Sequence, residues 1–249
     1  MRVPLIVGNW KMHLSLDEAE ALATAAAKVA ADCPDREVVI APPFTALATV
    51  RAVVGERLIL AAQNVGWAKK GAFTGEISPP MLRELGCRMV IVGHSERRHI
   101  FHEDNRMINQ RLRGAMQQGL VPILCIGETL AEREAGRTMA VLEAQIRQGL
   151  NQVTLSDPAR LVMAYEPVWA IGTGQTATPA QAQEAHKFVR RLLSALYEKN
   201  IATTTRILYG GSVNAANIDE LMALADVDGA LVGGASLAAE SFERVIRFV

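Results

Sequence analysis

A carboxylate and a glycine-rich loop follow an apolar run in the second half of the chain. The apolar residues Leu161–Ala164 predict a buried strand, and Glu166 stands at its end. Pro167 restricts the backbone at the start of the next loop, whereas Gly172 and Gly174 leave its tip free to adopt unusual angles. An α/β enzyme can place a catalytic base at such a strand end and cover it with such a loop. Taken alone, the stretch is better explained by a solvated carboxylate, so the rest of the chain decides the interpretation.

Other apolar runs also end in polar residues or in glycines. These ends are Asn9-Trp10-Lys11, His94-Ser95-Glu96-Arg97, Gly210-Gly211-Ser212 and Gly233-Gly234. If the runs are parallel strands of one barrel, their C-terminal ends lie on the same rim, where an amide, an ammonium group, an imidazole and a carboxylate would meet glycine-rich turns. We interpret this combination as a catalytic site.

Glu166 and His94 are the residues best suited to proton transfer. A carboxylate held in a dry site can remove a proton from a carbon next to a carbonyl group, which makes Glu166 the candidate base. His94 precedes a predicted helix start at Ser95-Glu96. A helix N-terminus disfavours imidazolium, and a neutral ring can donate a hydrogen bond to a substrate oxygen. The other four histidines lack this placement and are interpreted as ordinary residues: His13, His99, His102 and His186.

Eight short apolar segments predict the strands that would position these residues. They are continuously apolar rather than alternating, as expected of parallel strands that are buried on both faces. The predicted strands are Val3–Asn9, Glu37–Pro42, Leu58–Gln63, Met89–Gly93, Leu120–Ile126, Leu161–Tyr165, Arg206–Gly210 and Val227–Val232.

Helix signals lie between the predicted strands. Ser15 and Glu18 fit a capping box, and Thr178 and Gln181 fit another, with Pro179 at the first helical position. Apolar stripes with helical spacing are interpreted as core packing. The stripes are Leu22, Ala23, Ala26, Val29 and Ala30; Met107, Ile108, Leu112, Ala115 and Met116; Leu142, Ile146, Gly149 and Val153; and Ala185, Phe188, Val189, Leu192, Leu193 and Leu196.

The alternation of strands and helices predicts an α/β fold. With no linker or composition break, residues 1–249 are expected to form a single domain, a closed (β/α)8 barrel of eight parallel strands with the helices outside. An open doubly wound sheet is the alternative, because a strand count from sequence is easily wrong by about one or two.

The composition excludes several classes of protein. Half of the 249 residues are apolar and the formal net charge is zero, so the basic surface of a nucleic-acid-binding protein is missing. No apolar run reaches the roughly 18 residues of a membrane span, and the chain starts without a signal-peptide pattern. Three scattered cysteines fit neither a disulfide framework nor a zinc site, and no other metal-ligand spacing is present. We expect a cytoplasmic protein that binds no nucleic acid, membrane or metal ion.

Glycines follow the seventh and eighth predicted strands, where barrel enzymes often bind phosphate. Backbone N–H groups of Gly211-Ser212 and Gly233-Gly234 can approach phosphate oxygens closely, and a helix N-terminus favours the anion. Any one of these glycines is about equally well explained by a tight turn, but the set predicts a phosphate site.

The strings at the strand ends resemble those of the triosephosphate isomerase family. In chain order they are NWK at 9–11, AQN at 62–64, GAFTGE at 71–76, IVGHSERR at 91–98, CIGE at 125–128, AYEPVWAIGTG at 164–174, YGGSV at 209–213 and LVGG at 231–234. Each string is moderately specific, and together they are very specific. Two positions depart from the family pattern: His13 stands where asparagine is usual, and Gln175 where lysine is common.

The resemblance implies a TIM barrel that interconverts dihydroxyacetone phosphate and D-glyceraldehyde 3-phosphate in glycolysis and gluconeogenesis, without a cofactor. Glu166 would be the base and His94 the neutral histidine for which this family is the established example. Lys11, by itself an ordinary surface lysine, would neutralise the phosphate and the enediolate oxygen. The substrate-binding residues would be Asn9, Lys11, Gly172, Ser212, Gly233 and Gly234.

The resemblance also implies that residues 167–177 close over the substrate as a lid. Trp169 would flank the moving part, and the Tyr209 hydroxyl and Ser212 would hold the closed form. Glu96 would lie behind the catalytic groups and pair with the lysine or with a nearby arginine. Closure matters because an exposed enediolate phosphate can eliminate its phosphate, and excluding water suppresses such side reactions.

The connection at residues 64–78 is too long for a simple turn and carries Trp67 and Phe73. Long loops with apolar side chains are usually functional, and exposed aromatic residues indicate an interface. In the family this loop enters a neighbouring subunit, where the Thr74 position approaches the partner's Asn9 and the partner's Lys11. We expect a homodimer through this loop, and a higher assembly is the alternative.

Two other functions are consistent with part of this pattern. Another phosphate-binding barrel, such as an aldolase or a synthase, is one of them, but a Schiff-base aldolase needs a desolvated lysine inside the barrel and no predicted strand core carries one. A catalytically silent barrel kept as a binding partner is the other. Loss of Glu166 or His94 would favour it, and both residues are present.

Overall fold

The computed structural model describes residues 2–56, 58–171 and 175–249. In these ranges, eight parallel strands form a closed barrel in which each strand pairs with the next and the last pairs with the first. The strands are β1 (Leu5–Asn9), β2 (Glu37–Ala41), β3 (Leu58–Ala62), β4 (Met89–Val92), β5 (Val121–Ile126), β6 (Val162–Tyr165), β7 (Arg206–Tyr209) and β8 (Gly229–Val232).

Helices connect the strands and cover the outside of the barrel. They are α1 (Leu16–Asp32), α2 (Leu47–Val53), α3 (Pro79–Glu84), α4 (Ser95–His99), α5 (Asn105–Gln117), α6 (Leu130–Glu134), α7 (Thr138–Gly149), α8 (Pro179–Leu196), α9 (Lys199–Thr204), α10 (Ile218–Met222) and α11 (Ala239–Ile246). Short 3-10 turns lie at Phe44–Ala46, Pro158–Arg160, Val168–Ala170 and Gly234–Ser236. Within the described ranges, no helix is both long and apolar enough to cross a membrane.

Two apolar cores explain why the strands are continuously apolar. Along β1, Leu5 and Val7 belong to a cluster inside the barrel, whereas Ile6 between them belongs to the layer between strands and helices. Successive side chains of a strand point to opposite faces, so both faces of each strand need apolar residues. The barrel is therefore a packed core whose polar chemistry is confined to its ends.

The predicted fold class is confirmed, and all eight predicted strands are present within one or two residues. β1 begins at Leu5 rather than at Val3, because Pro4 has no N–H group for the sheet and Val3 is half exposed. β8 likewise begins at Gly229 rather than at Val227. The open-sheet alternative is wrong, since β1 pairs with β8.

Both predicted capping boxes are confirmed at the N-termini of α1 and α8. One member of a predicted stripe is misplaced. Helix α7 ends at Gly149, so Val153 lies in the following connection, although it still packs against the outer core.

Candidate active site

A cavity of about 400 Å³ opens at the C-terminal end of the barrel. Its wall comes from residues that follow β1, β4, β6, β7 and β8, as the strand-end pattern predicts for a rim site. Predicted site residues that line it are Asn9, Lys11, His94, Glu166, Ser212, Gly233 and Gly234. The predicted substrate-binding residue Gly172 and its neighbour Gly174 lie outside the described residues.

Four charged or titratable side chains form a continuous row, and three of them, Lys11, His94 and Glu166, line the cavity. The Lys11 Nζ atom lies 2.7 Å from Glu96 Oε1. Glu96 Oε2 lies 3.4 Å from His94 Nδ1, and His94 Nε2 lies 3.3 Å from Glu166 Oε1. His94 and Glu166 are buried. The row thus joins residues that follow three different strands, β1, β4 and β6.

The hydrogen bonds of His94 identify which ring nitrogen carries the proton. The backbone N–H of Glu96 donates to His94 Nδ1 at 3.2 Å, so Nδ1 acts as an acceptor. The proton of a neutral ring then lies on Nε2, the nitrogen beside Glu166. His94 is also the N-cap residue of α4. Its Nε2–H group is therefore available as a hydrogen-bond donor within the cavity.

Glu166 is held at the end of β6 by both its backbone and its carboxylate. Its backbone N–H donates to the carbonyl of Ile126 at 2.7 Å, which extends the pairing of β5 and β6. The backbone N–H of Ser95 donates to Glu166 Oε2 at 2.9 Å. One carboxylate oxygen is thus fixed by α4, while Oε1 has no hydrogen-bond partner among the described residues.

Lys11 has a left-handed backbone conformation with φ of 52°. Such a conformation is costly for any residue except glycine, so neighbours must hold it. The Gln63 amide Nε2 donates to the carbonyls of Lys11 and Ala41, both at 2.8 Å, and Lys11 N–H donates to Asn9 Oδ1 at 3.1 Å. Gln63 and Asn9 therefore direct the lysine side chain from the end of β1 towards the cavity.

The charge of Glu96 is stabilised by Lys11. Partial burial raises the pKa of this carboxyl group, but the hydrogen bond from Lys11 and the positive charge of Lys11 hold the pKa below its ordinary value. Glu96 therefore stays ionised and keeps Lys11 in place.

The opposite side of the cavity consists of backbone around glycines. A methyl group on Gly211 would lie 2.3 Å from the Tyr209 hydroxyl, and one on Gly210 would lie 2.8 Å from Glu166 Cγ. One on Gly233 would lie 3.3 Å from Lys11 Cε. Gly210 and Gly211, after β7, are thus required by close contacts as well as by the turn, whereas Gly234, after β8, has open space around it.

Both ends of the predicted lid make hydrogen bonds to the barrel rim. The Trp169 indole N–H donates to Glu128 Oε1 at 3.0 Å, and the Tyr165 hydroxyl donates to the same oxygen at 3.2 Å. At the other end, the backbone N–H of Ala177 donates to the Tyr209 hydroxyl at 3.3 Å. Burial raises the pKa of Tyr209 to about 12, so this hydroxyl stays protonated.

The 64–78 connection carries exposed side chains on a braced backbone. Phe73 is 40% exposed and packs edge-on against Trp67, and Thr74 is exposed. The buried Arg111 of α5 donates to the Val65 carbonyl at 2.5 Å and pairs with Glu76. The loop is therefore ordered by contacts within its own chain.

Sequence reasoning missed three residues that the structure places at or near the site. Gln63 supports Lys11, Glu128 accepts hydrogen bonds beside the lid, and His13 lines the cavity. The strings AQN and CIGE, which contain Gln63 and Glu128, were the available signal. In the described part of the chain, no three histidine, cysteine, aspartate or glutamate side chains are grouped to hold a metal ion.

Comparisons with known proteins agree with this geometry. A family model described as triosephosphate isomerase matches residues 4–249. A curated protein of that name from Chloroflexus aurantiacus is 53% identical over 249 residues, which is the whole length of both chains. Another from Moorella thermoacetica is 52% identical over all of this chain and 99% of the relative. A third, from Syntrophotalea carbinolica, is 51% identical with the same coverage. The chain therefore belongs to the triosephosphate isomerase family.

Proposed function

We propose that the protein is a triose-phosphate isomerase that interconverts dihydroxyacetone phosphate and D-glyceraldehyde 3-phosphate. The observation that carries the proposal is the pairing of a buried carboxylate with an imidazole donor at one cavity wall, with Glu166 Oε1 3.3 Å from His94 Nε2. This pair can remove a proton from carbon and polarise the neighbouring carbonyl oxygen at the same time.

Proton transfer on carbon is the task of Glu166. Its carboxylate removes a proton from C1 of dihydroxyacetone phosphate, which leaves an enediolate, and returns the proton to C2 to give glyceraldehyde 3-phosphate. The base is regenerated, and no redox partner is consumed. Burial of the carboxylate keeps bulk water away from the carbon acid.

Proton transfer on oxygen is the task of His94. Its Nε2–H group donates to the carbonyl oxygen while negative charge develops there. The ring then moves a proton between O1 and O2 of the enediolate. Because Nδ1 accepts a hydrogen bond from the Glu96 N–H, the donor is fixed on the substrate side.

Charge stabilisation is divided between Lys11, the amide of Asn9 and backbone N–H groups. The Lys11 side chain also approaches the glycine side of the cavity, because a methyl group on Gly233 would lie 3.3 Å from Lys11 Cε. Ser212, Gly233 and Gly234 bind the phosphate dianion through the loops after β7 and β8, with Gly234 at the start of a 3-10 turn. Gly172 belongs to this proposal on sequence grounds alone.

Residues 167–177 act as the lid in this proposal. The hydrogen bonds of Trp169 and Ala177 to Glu128 and Tyr209 support it, because they anchor the two ends of the segment on the rim. Ser212 would help to hold the closed form. A closed lid excludes water, so the enediolate is less prone to eliminate phosphate.

A homodimer and a cytoplasmic location are part of the same proposal. Exposed Phe73 and Thr74 at the braced loop, and Met12 at 94% exposure next to Lys11, support a subunit contact at this face. The three cysteines are free and buried, which fits a reducing compartment. Light scattering after size exclusion should give twice the mass of one chain, and a fully active monomer would rule the dimer out.

The test of the activity is isomerisation of glyceraldehyde 3-phosphate by the purified protein without added nucleotide. We expect fast turnover that falls about 10³-fold in kcat in Glu166→Gln, since a general base contributes about 10²- to 10⁴-fold. Glu143→Gln on α7, whose partner is the exposed Arg147, is the matched control and should turn over normally. No turnover by the unaltered protein, with phosphate binding retained, would instead support the silent barrel.

A further inference from the structure

We propose that Gln145, on the outer helix α7, is a positioning residue for the catalytic carboxylate of Glu166. The inference rests on the proposed isomerase function. Gln145 does not line the cavity and acts through the backbone of Gly127, directly after β5.

The Gln145 side chain binds both polar groups of one residue. Gly127 N–H donates to Gln145 Oε1 at 2.8 Å, and Gln145 Nε2 donates to the Gly127 carbonyl at 3.0 Å. Only one orientation of the amide satisfies both hydrogen bonds, because its oxygen accepts and its nitrogen donates. The peptide groups on both sides of Gly127 are therefore fixed from the helix layer.

Gly127 in turn lies directly against the backbone of Glu166. A methyl group on Gly127 would lie only 1.7 Å from the Glu166 carbonyl oxygen and 2.6 Å from its carbonyl carbon. Backbone hydrogen bonds flank this contact, from Glu166 N–H to Ile126 O at 2.7 Å and from Val168 N–H to Glu128 O at 3.1 Å. Any rotation of the Gly127 peptides would therefore shift Glu166.

External support is needed at this point because β4, the strand on the other side of β5, has already ended. The last aligned pair of β4 and β5 is Val92 with Leu124, three residues before Gly127, whose polar groups alternate away from β6. Gly127 is buried, so without Gln145 its N–H and carbonyl groups would lack hydrogen-bond partners. Because it has no side chain, its backbone would also be free to rotate. The amide of Gln145 replaces the missing strand partner.

The expected consequence is a selective loss of turnover. Among the described residues, Gln145 forms hydrogen bonds with Gly127 and none with the loops after β7 and β8 that are proposed to bind phosphate, so substrate affinity should be retained. A displacement of the base by about 1 Å can cost on the order of 10²-fold in rate. Loss of the Gln145 amide should therefore lower kcat and leave KM nearly unchanged.

The first test compares Gln145→Met with Gln148→Met, which lies on the same helix and is exposed. Gln145→Met keeps the length of the side chain and removes both hydrogen bonds. We expect a fall in kcat of about 10- to 100-fold with KM within about twofold, and no change in Gln148→Met. A kcat equal to that of the control, or a matching rise in KM, would overturn the inference. An inactive unaltered protein would contradict the proposed function instead.

The second test is Gln145→Glu, which preserves size if Gln145→Met fails to fold. At neutral pH its carboxylate still accepts from Gly127 N–H but faces the Gly127 carbonyl without a proton to donate. Protonation restores the donor, so kcat relative to the unaltered protein should rise as the pH falls from about 8 to about 5, towards the pKa of a carboxyl group. A constant ratio across this range would count against a positioning role.

Discussion

The two sides of the cavity differ in the chemical groups that form them. After β1, β4 and β6, the wall includes the side chains of Lys11, His94 and Glu166, and Glu96, which is outside the lining, joins Lys11 to His94. After β7 and β8 it consists of backbone around glycines. One side is suited to move protons, and the other to hold an anion that does not react.

The two sides should therefore respond differently to substitution. On the side-chain side each group is in contact with the next, and Glu96 reaches both Lys11 and His94, so a change at one residue alters its neighbours. On the backbone side the groups proposed to bind phosphate are main-chain N–H groups, which a side-chain substitution does not delete. These N–H groups are disturbed by adding atoms that block the approach of the anion.

The largest effect is expected from Lys11→Met. It removes a cation from the site and leaves Glu96 without its partner at 2.7 Å. Removal of one charge-stabilising donor from an active site costs about 10²- to 10³-fold, so kcat/KM should fall by at least that factor. Lys28→Met on the exposed face of α1 is the control. An equal, small effect of both variants would show that the row of side chains is not coupled to the reaction.

His186 lies where the two sides of the cavity meet, because its ring contacts Tyr165 at the end of β6 and Tyr209 at the end of β7. A second prediction concerns its effect on stability. Burial lowers the pKa of this fully buried histidine to about 4, whereas the unfolded chain has an ordinary value near 6.5. Below pH about 6.5 the unfolded state binds a proton that the folded state does not bind. The free energy of unfolding should thus fall by on the order of 3 kcal/mol between about pH 6.5 and about pH 4.

Denaturant unfolding across this pH range measures that loss. In His186→Gln the part of the slope due to this residue should disappear, so the difference in free energy of unfolding between the variant and the unaltered protein should change by on the order of 3 kcal/mol over this range. If the free energies of unfolding of the two proteins ran parallel with pH, the pH dependence would come from a group other than His186.

The smallest effect is expected from Gly234→Ala. A methyl group there meets no atom within 4 Å, so the fold should tolerate it. It would cover a backbone N–H group assigned to the phosphate, and we expect KM to rise about tenfold, equivalent to about 1.4 kcal/mol, with little change in kcat. Gly55→Ala is the matched control, since its methyl group also has no neighbour within 4 Å. Unchanged KM in both variants would remove Gly234 from the phosphate site.

Most of the fold could be predicted from local patterns. The strands are short apolar runs because both of their faces are buried, and the helix starts at Ser15 and Thr178 follow from hydrogen bonds between residues three apart. Each of these signals lies within a few consecutive residues, so it can be recognised from the sequence alone. The number of strands and the residues at their ends together predicted the rim at which the cavity opens.

The supporting contacts of the site could not be predicted in this way. Gln145 and Gly127 are 18 positions apart in the sequence, and Gln63 and Lys11 are 52 apart. A side-chain amide that binds a distant backbone group produces no periodic pattern in the sequence. The left-handed backbone of Lys11 was equally invisible, since lysine rarely adopts it. The single-domain extent, the site roles and the dimer stay predictions.

The backbone of Lys11 also bears on how this protein could be engineered. A φ of 52° suits glycine, and a lysine there costs about 1 to 2 kcal/mol relative to glycine. Selection for thermal tolerance alone would therefore tend to replace the residue whose cation is proposed to stabilise charge in the reaction. Libraries built to raise the melting temperature of this chain should leave position 11 unchanged, because robustness and turnover select opposite residues there.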